Sequence, residues 1–154
     1  MSTERENTSF FRFEDLRIYH KALDYIEWVH QTVQHFPPLM KESLTLPFLK
    51  SAQAISLNIA EGSSRNKSQF IYFLKMAKSS VRECVIFTNL TRKLNLISDE
   101  IEEVSRLHLM ELTKMIGSLI VSLQKGPRPA SQSDIRSDFD DDIMEDDDQP
   151  NYNR

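Results

Sequence analysis

Cysteine is nearly absent: Cys84 is the only one in 154 residues, so no internal disulfide can form and a reducing compartment is the expected setting. Glycine is scarce as well. Only Gly62, Gly117 and Gly126 occur, which excludes a glycine-rich phosphate loop. No window approaches the roughly 18 consecutive apolar residues that cross a bilayer, and the polar stretch Met1 to Ser9 leads into no apolar region of signal-peptide type. No segment alternates polar and apolar residues as a half-buried strand would. These gaps point to a soluble, cytoplasmic, all-α protein with no membrane partner.

What is present is charge, unevenly placed. The formal net charge is −4, yet residues 127–154 hold nine acids against three arginines, a net −6. Residues 41–93 carry nine bases and three acids, a local +6. Separation of sign on this scale speaks of partners more than the total does.

Apolar residues recur at helical spacing through the body. Asp15 is read as the N-cap of a first helix with the stripe Leu16, Tyr19, Leu23, Ile26, His30 and Val33, closed by Phe36-Pro37-Pro38. A second helix starts near Thr45, tolerates Pro47 in its first turn and buries Leu49, Ala52, Ile55, Ile59 and Ala60 up to a stop at Gly62. Asn66, with Gln69 three residues on, caps a third helix running to about Leu94 with Phe70, Phe73, Leu74, Ala77, Val81 and Cys84 inward. Ser98 caps a fourth, whose inner face is Ile101, Val104, Leu112, Met115, Leu119 and Leu123 and whose end is Gly126-Pro127. The expected architecture is an up-down-up-down antiparallel four-helix bundle over residues 13–125. A flexible N-terminal arm (1–12) precedes it and a disordered acidic C-terminal tail (126–154) follows, too poor in apolar residues to offset its ordering entropy.

The motifs Phe13-Glu14-Asp15-Leu16, Tyr19, Lys21-Ala22, Phe36-Pro37, Leu57-Asn58-Ile59-Ala60-Glu61-Gly62, Phe70 and Phe73-Leu74 resemble the four-helix-bundle proteins encoded by intervening sequences of bacterial 23S ribosomal RNA genes. The resemblance covers residues 13–124, and Asn-Ile-Ala-Glu-Gly is its most specific piece. It implies a homopentameric ring of bundles without known enzymatic activity. A relative in fold, the accessory variability determinant of diversity-generating retroelements, is positively charged and associates with nucleic acid and a reverse transcriptase. Two features depart from the family pattern: Leu49-Lys50-Ser51 stands where a basic pair is frequent, and the long acidic tail is not shared.

At 100° per residue, Lys67, Lys75, Lys78, Arg82 and Lys93 fall on one side of the third helix, with Asn89 among them. The stripe would extend about 39 Å at 1.5 Å per residue, close to one turn of a nucleic-acid duplex at ~34 Å. Such cations suit phosphate contacts that carry little sequence information, and Arg65 is expected to assist. The plain alternative is a solvated outer face. A second apolar stripe, Tyr72, Met76, Ile86, Leu90 and Leu94, lies on the same helix away from Phe70 and Ala77, and Trp28 points away from the main stripe of the first helix. Either another part of the chain or a neighbouring subunit covers them, and oligomerisation is the favoured reading.

Chemistry finds no foothold. Glu61 lacks the partner and pocket of a general base and is expected to hold the turn after the second helix. His30 and His108, both read as inward-facing, lack companions at metal-ligand spacing, and Cys84 reads as a small core residue. No cofactor, metal or catalytic residue is expected. The leading expectation is a non-enzymatic, oligomeric binder of RNA or DNA; the alternative is a scaffold that recruits a protein partner. The acidic tail is either a solubilising appendage or a competitor lying across the basic region.

Overall fold

The computed structural model describes residues 9–125. Among them are four α-helices and no strand: α1 (Arg17–Val33), α2 (Leu46–Ser63), α3 (Lys67–Lys93) and α4 (Asp99–Gln124). The tail expected over 126–154 lies outside the described residues, as do residues 1–8 of the expected arm. Ser9 is tied down, its N–H donating to Asp15 Oδ1 at 3.0 Å and its hydroxyl to Glu14 Oε2 at 3.1 Å.

Those bonds explain why Asp15 is not the cap of α1. Arg12–Asp15 form a 3-10 turn, Leu16 is extended (φ −81°, ψ 121°), and α1 begins at Arg17 without a side-chain cap. Pro37 and Pro38 close α1 as expected, but the link to α2 is structured. A 3-10 turn at Pro38–Met40 runs into a π-helical turn at Lys41–Thr45. Pro47, in the first turn of α2, has no N–H to donate and its ring crowds the carbonyl four residues back. A wider turn ahead of it accommodates both. Asn66 and Ser98 cap α3 and α4, accepting from the N–H groups of Gln69 and Ile101 at 2.9 and 3.2 Å. α3 ends on Asn95 in the left-handed region (φ 57°), and the Leu96 N–H closes back onto the Thr91 carbonyl at 3.0 Å.

α1 and α3 each pack on both α2 and α4. Phe48 stacks on Phe87, Ser51 donates to Glu83 at 2.7 Å, and Gly62 meets Phe70 and Phe73, so α2 and α3 run antiparallel. Thr88 with Ser105 and Arg92 with Asp99 set the same relation between α3 and α4.

The core register differs from expectation in α1 and α4. In α1 the buried residues are Ile18, Ala22, Tyr25, Val29 and Val33, whereas Leu23 and His30 are exposed. In α4 they are Ser105, Leu109, Leu112, Ile116 and Ile120, whereas Ile101 and Val104 are exposed. One polar network accounts for both shifts. Tyr25 Oη and Ser105 Oγ are 2.9 Å apart, Ser105 Oγ and Thr88 Oγ1 are 2.7 Å apart, and the Thr88 hydroxyl donates to the Cys84 carbonyl at 2.8 Å. Hydroxyls that find partners can be buried, so a polar residue at the centre of each stripe is no obstacle. Burial drives the Tyr25 phenol's pKa well above its ordinary value, so the network keeps its proton. In α2, Ala52, Ile55 and Ile59 are inward as expected, with Leu49 and Ala60 half-buried.

Gly62 does not terminate α2. The helix continues to Ser63, and no glycine among the described residues adopts a positive φ. A Cβ built on Gly62 would stand 2.7 Å from Phe73 Cβ and 2.8 Å from Phe70 Cδ2. The residue is glycine because α3 passes too close for any side chain.

Candidate nucleic-acid interface

α3 is one unbroken helix of 27 residues, with neither glycine nor proline between Lys67 and Lys93. It divides into three faces. Leu74, Ala77, Val81, Cys84 and Thr88 are buried against the other helices. Lys67, Lys75, Lys78, Arg82 and Lys93 occupy an arc of about 80° beside them. Of these only Lys78 is half-buried; the rest are exposed. Lys75, Lys78 and Arg82 also interact with other groups of the chain. Lys93 sits in the last turn, where a cation suits the helix dipole; Lys67 sits in the first, where it opposes the dipole.

The structure sorts the other bases. Arg65, in the α2–α3 turn, pairs with Glu61 through Nε at 3.1 Å and through Nη2, and its guanidinium carbon lies 5.7 Å from the Phe73 ring centroid. Glu61 thus holds the turn, as expected, and engages Arg65 in doing so. Arg92 pairs with Asp99 and approaches Glu102 at 3.9 Å, the Asp99 carboxylate holding its guanidinium still more firmly protonated. Arg65 and Arg92 are therefore matched locally by carboxylates.

α4 brings cations that the sequence reading did not include. Arg106 donates to Asn89 Oδ1 at 2.9 Å, reaching from α4 onto the cationic side of α3. Arg106, Lys114, Thr113, Leu109 and Met110, with Val85 of α3, line one groove of about 220 Å³. Lys78 and Arg82 precede Val85 by seven and three residues, two turns and one turn along the same side of α3. The stripe therefore borders a groove whose opposite rim is basic and whose floor is apolar. Five acids on α4 hid this: Arg106 and Lys114 take on meaning only once Ser105 and Leu109 fix the inner face.

The second apolar stripe is exposed: Tyr72 59%, Met76 42%, Ile86 63%, Leu90 40% and Leu94 44%. Trp28 does not join it. Its ring stacks on Tyr25 at 5.7 Å with 13° between planes and lies 6.3 Å from His108, so packing within the chain accounts for its partial burial. His108 is half-buried between these two rings and His30 is exposed. No group of three or more potential metal ligands occurs among the described residues, and none of their helices is long and apolar enough to cross a membrane. Cys84 is buried as expected, its thiol pushed up to about 12 by burial and by the Glu83 charge.

The family model of the 23S rRNA-intervening sequence proteins matches residues 14–118. No curated protein matches. Among solved structures, a protein of unknown function from the S23 ribosomal protein family of Bacteroides thetaiotaomicron is similar, at 21% identity and a TM-score of 0.60. The match covers 67% of this chain and 97% of that one, and it speaks for the fold alone.

Proposed function

The chain belongs to the 23S rRNA-intervening sequence protein family, and on that footing we propose that it is a non-enzymatic binder of RNA or DNA that reads phosphates rather than bases. The observation that supports this is the aligned arc Lys67, Lys75, Lys78, Arg82 and Lys93 on one unbroken helix, bordered across a groove by Arg106 and Lys114. Cations in a line displace counterions from a phosphate chain, and a helix face without a base-reading protrusion discriminates little between sequences. The test is a fluorescence titration of a labelled duplex of mixed sequence between 50 and 300 mM salt. With five contacts, log affinity should fall against log salt with a slope of about −4 to −5, and a scrambled duplex should behave alike. Salt-independent affinity, or no binding at the lowest salt, overturns the reading.

A second reading rests on the exposed stripe Tyr72, Met76, Ile86, Leu90 and Leu94. A contiguous apolar face of this kind is the mark of an interface, and we infer that copies of the chain associate through it. Ile86→Asp with Leu90→Asp should convert the assembly to monomers in sedimentation velocity without loss of helix by circular dichroism. An unchanged sedimentation coefficient rejects this interface.

A further inference from the structure

We propose that the groove between α3 and α4 is a docking site for the chain's own segment Phe139–Met144, whose apolar residues enter the groove while the flanking aspartates meet its basic rim. Floor and rim call for an acidic ligand with apolar side chains, since Val85, Leu109 and Met110 are apolar and Arg106 and Lys114 are cationic. The bond from Arg106 to Asn89 holds the guanidinium at that rim.

The run Asp138-Phe139-Asp140-Asp141-Asp142-Ile143-Met144-Glu145-Asp146 supplies this composition. Phe139 and Ile143 are four apart, Met144 adjoins, and every other position is acidic. Within residues 9–125 no stretch combines apolar residues with so many carboxylates.

Reach is sufficient. α4 ends at Gln124, so the groove residues at 106–114 lie about 15–27 Å back along the helix at 1.5 Å per residue. Residues 125–138 can span at most about 46–50 Å, which allows the chain to double back without being fully extended. Burying the three apolar side chains supplies a favourable term that charge alone would lack, so docking should outlast moderate salt. The docked segment would cover the groove beside Lys78 and Arg82, making it a competitor for phosphates; that consequence rests on the function proposed above, whereas the docking does not.

The test uses the full chain with a nitroxide at Ser137→Cys. Cys84 is buried with its thiol pushed up to about 12, so it does not compete for the label. Methyl signals of Val85, Leu109 and Met110 should lose more than half of their intensity relative to the reduced label, with little change at Leu57 on α2. In Phe139→Ser/Ile143→Ser/Met144→Ser this loss should disappear although all nine tail acids remain. A loss that is absent, that is spread over every basic surface, or that survives the triple substitution overturns the proposal. So does a loss seen only when label and methyl probe reside on different molecules, which would place a second copy's segment in the groove. Duplex affinity measured on the same variants reports separately on phosphate binding: unchanged affinity with docking confirmed would remove the competition and leave the docking intact.

Discussion

Gly62→Val is expected to lower the melting temperature by more than about 10 °C, the largest effect of any single substitution considered, because the new side chain has nowhere to go. Even the Cβ of alanine would meet Phe73 Cβ at 2.7 Å. That atom is one bond from the α3 backbone and cannot swing aside, whereas the Phe70 ring at 2.8 Å can. Alanine gains up to ~1 kcal/mol of helix propensity over glycine, but overpacking costs about 1–3 kcal/mol, so Gly62→Ala should be mildly destabilising and the branched valine severely so. Against a total of about 5–15 kcal/mol such a loss is large. Gly117 is the control. A Cβ there meets nothing within 4 Å, and Gly117→Ala should hold or raise the melting temperature. Thermal circular dichroism of the three variants checks this; a Gly62→Val protein melting with the wild type would mean that α2 and α3 are not in close contact.

Replacing Lys75, Lys78 and Arg82 together by glutamine should weaken duplex binding by roughly 10²- to 10³-fold at 0.1 M salt. Each phosphate contact contributes about 0.9 to the logarithmic salt slope, so three lost contacts flatten it by about 2.7 and cost a similar number of decades between 0.1 M and 1 M. The three residues lie within two turns of α3 and outside its buried face, so the fold should survive. Lys41→Gln/Lys50→Gln removes two charges elsewhere and should leave the slope unchanged. Equal losses from the two sets would mean that net charge, not the arc on α3, governs binding.

Much of this was legible in the residues. α3 was plain because Asn66 and Gln69 mark its start and no helix breaker interrupts it, and both outer faces of that helix follow from counting. The structured connection from α1 into α2 was not, since a π turn serves a proline's missing donor rather than any pattern of hydrophobicity. The registers of α1 and α4 went astray for a related reason. A count of apolar residues passes over Ser105 and Thr88 because their side chains are polar, yet each is fully buried, Ser105 joining the Tyr25 and Thr88 hydroxyls. With α4 misaligned, Arg106 and Lys114 could not be seen as neighbours of the α3 stripe. Gly62 was noticed as a helix stop when its purpose is clearance, a distinction that needs the position of Phe73. Trp28 lies off the expected stripe of α1, and its stacking partner Tyr25 is not part of that stripe.

Lysine footprinting tests the central claim most directly. The protein is acetylated with and without saturating duplex, and modification at each lysine is quantified by mass spectrometry. The account predicts protection at Lys67, Lys75, Lys78 and Lys93 of α3 and at Lys114 of α4, with Lys41 and Lys50 modified to the same extent in both samples. Protection confined to Lys41 and Lys50, or uniform across all of them, would contradict it.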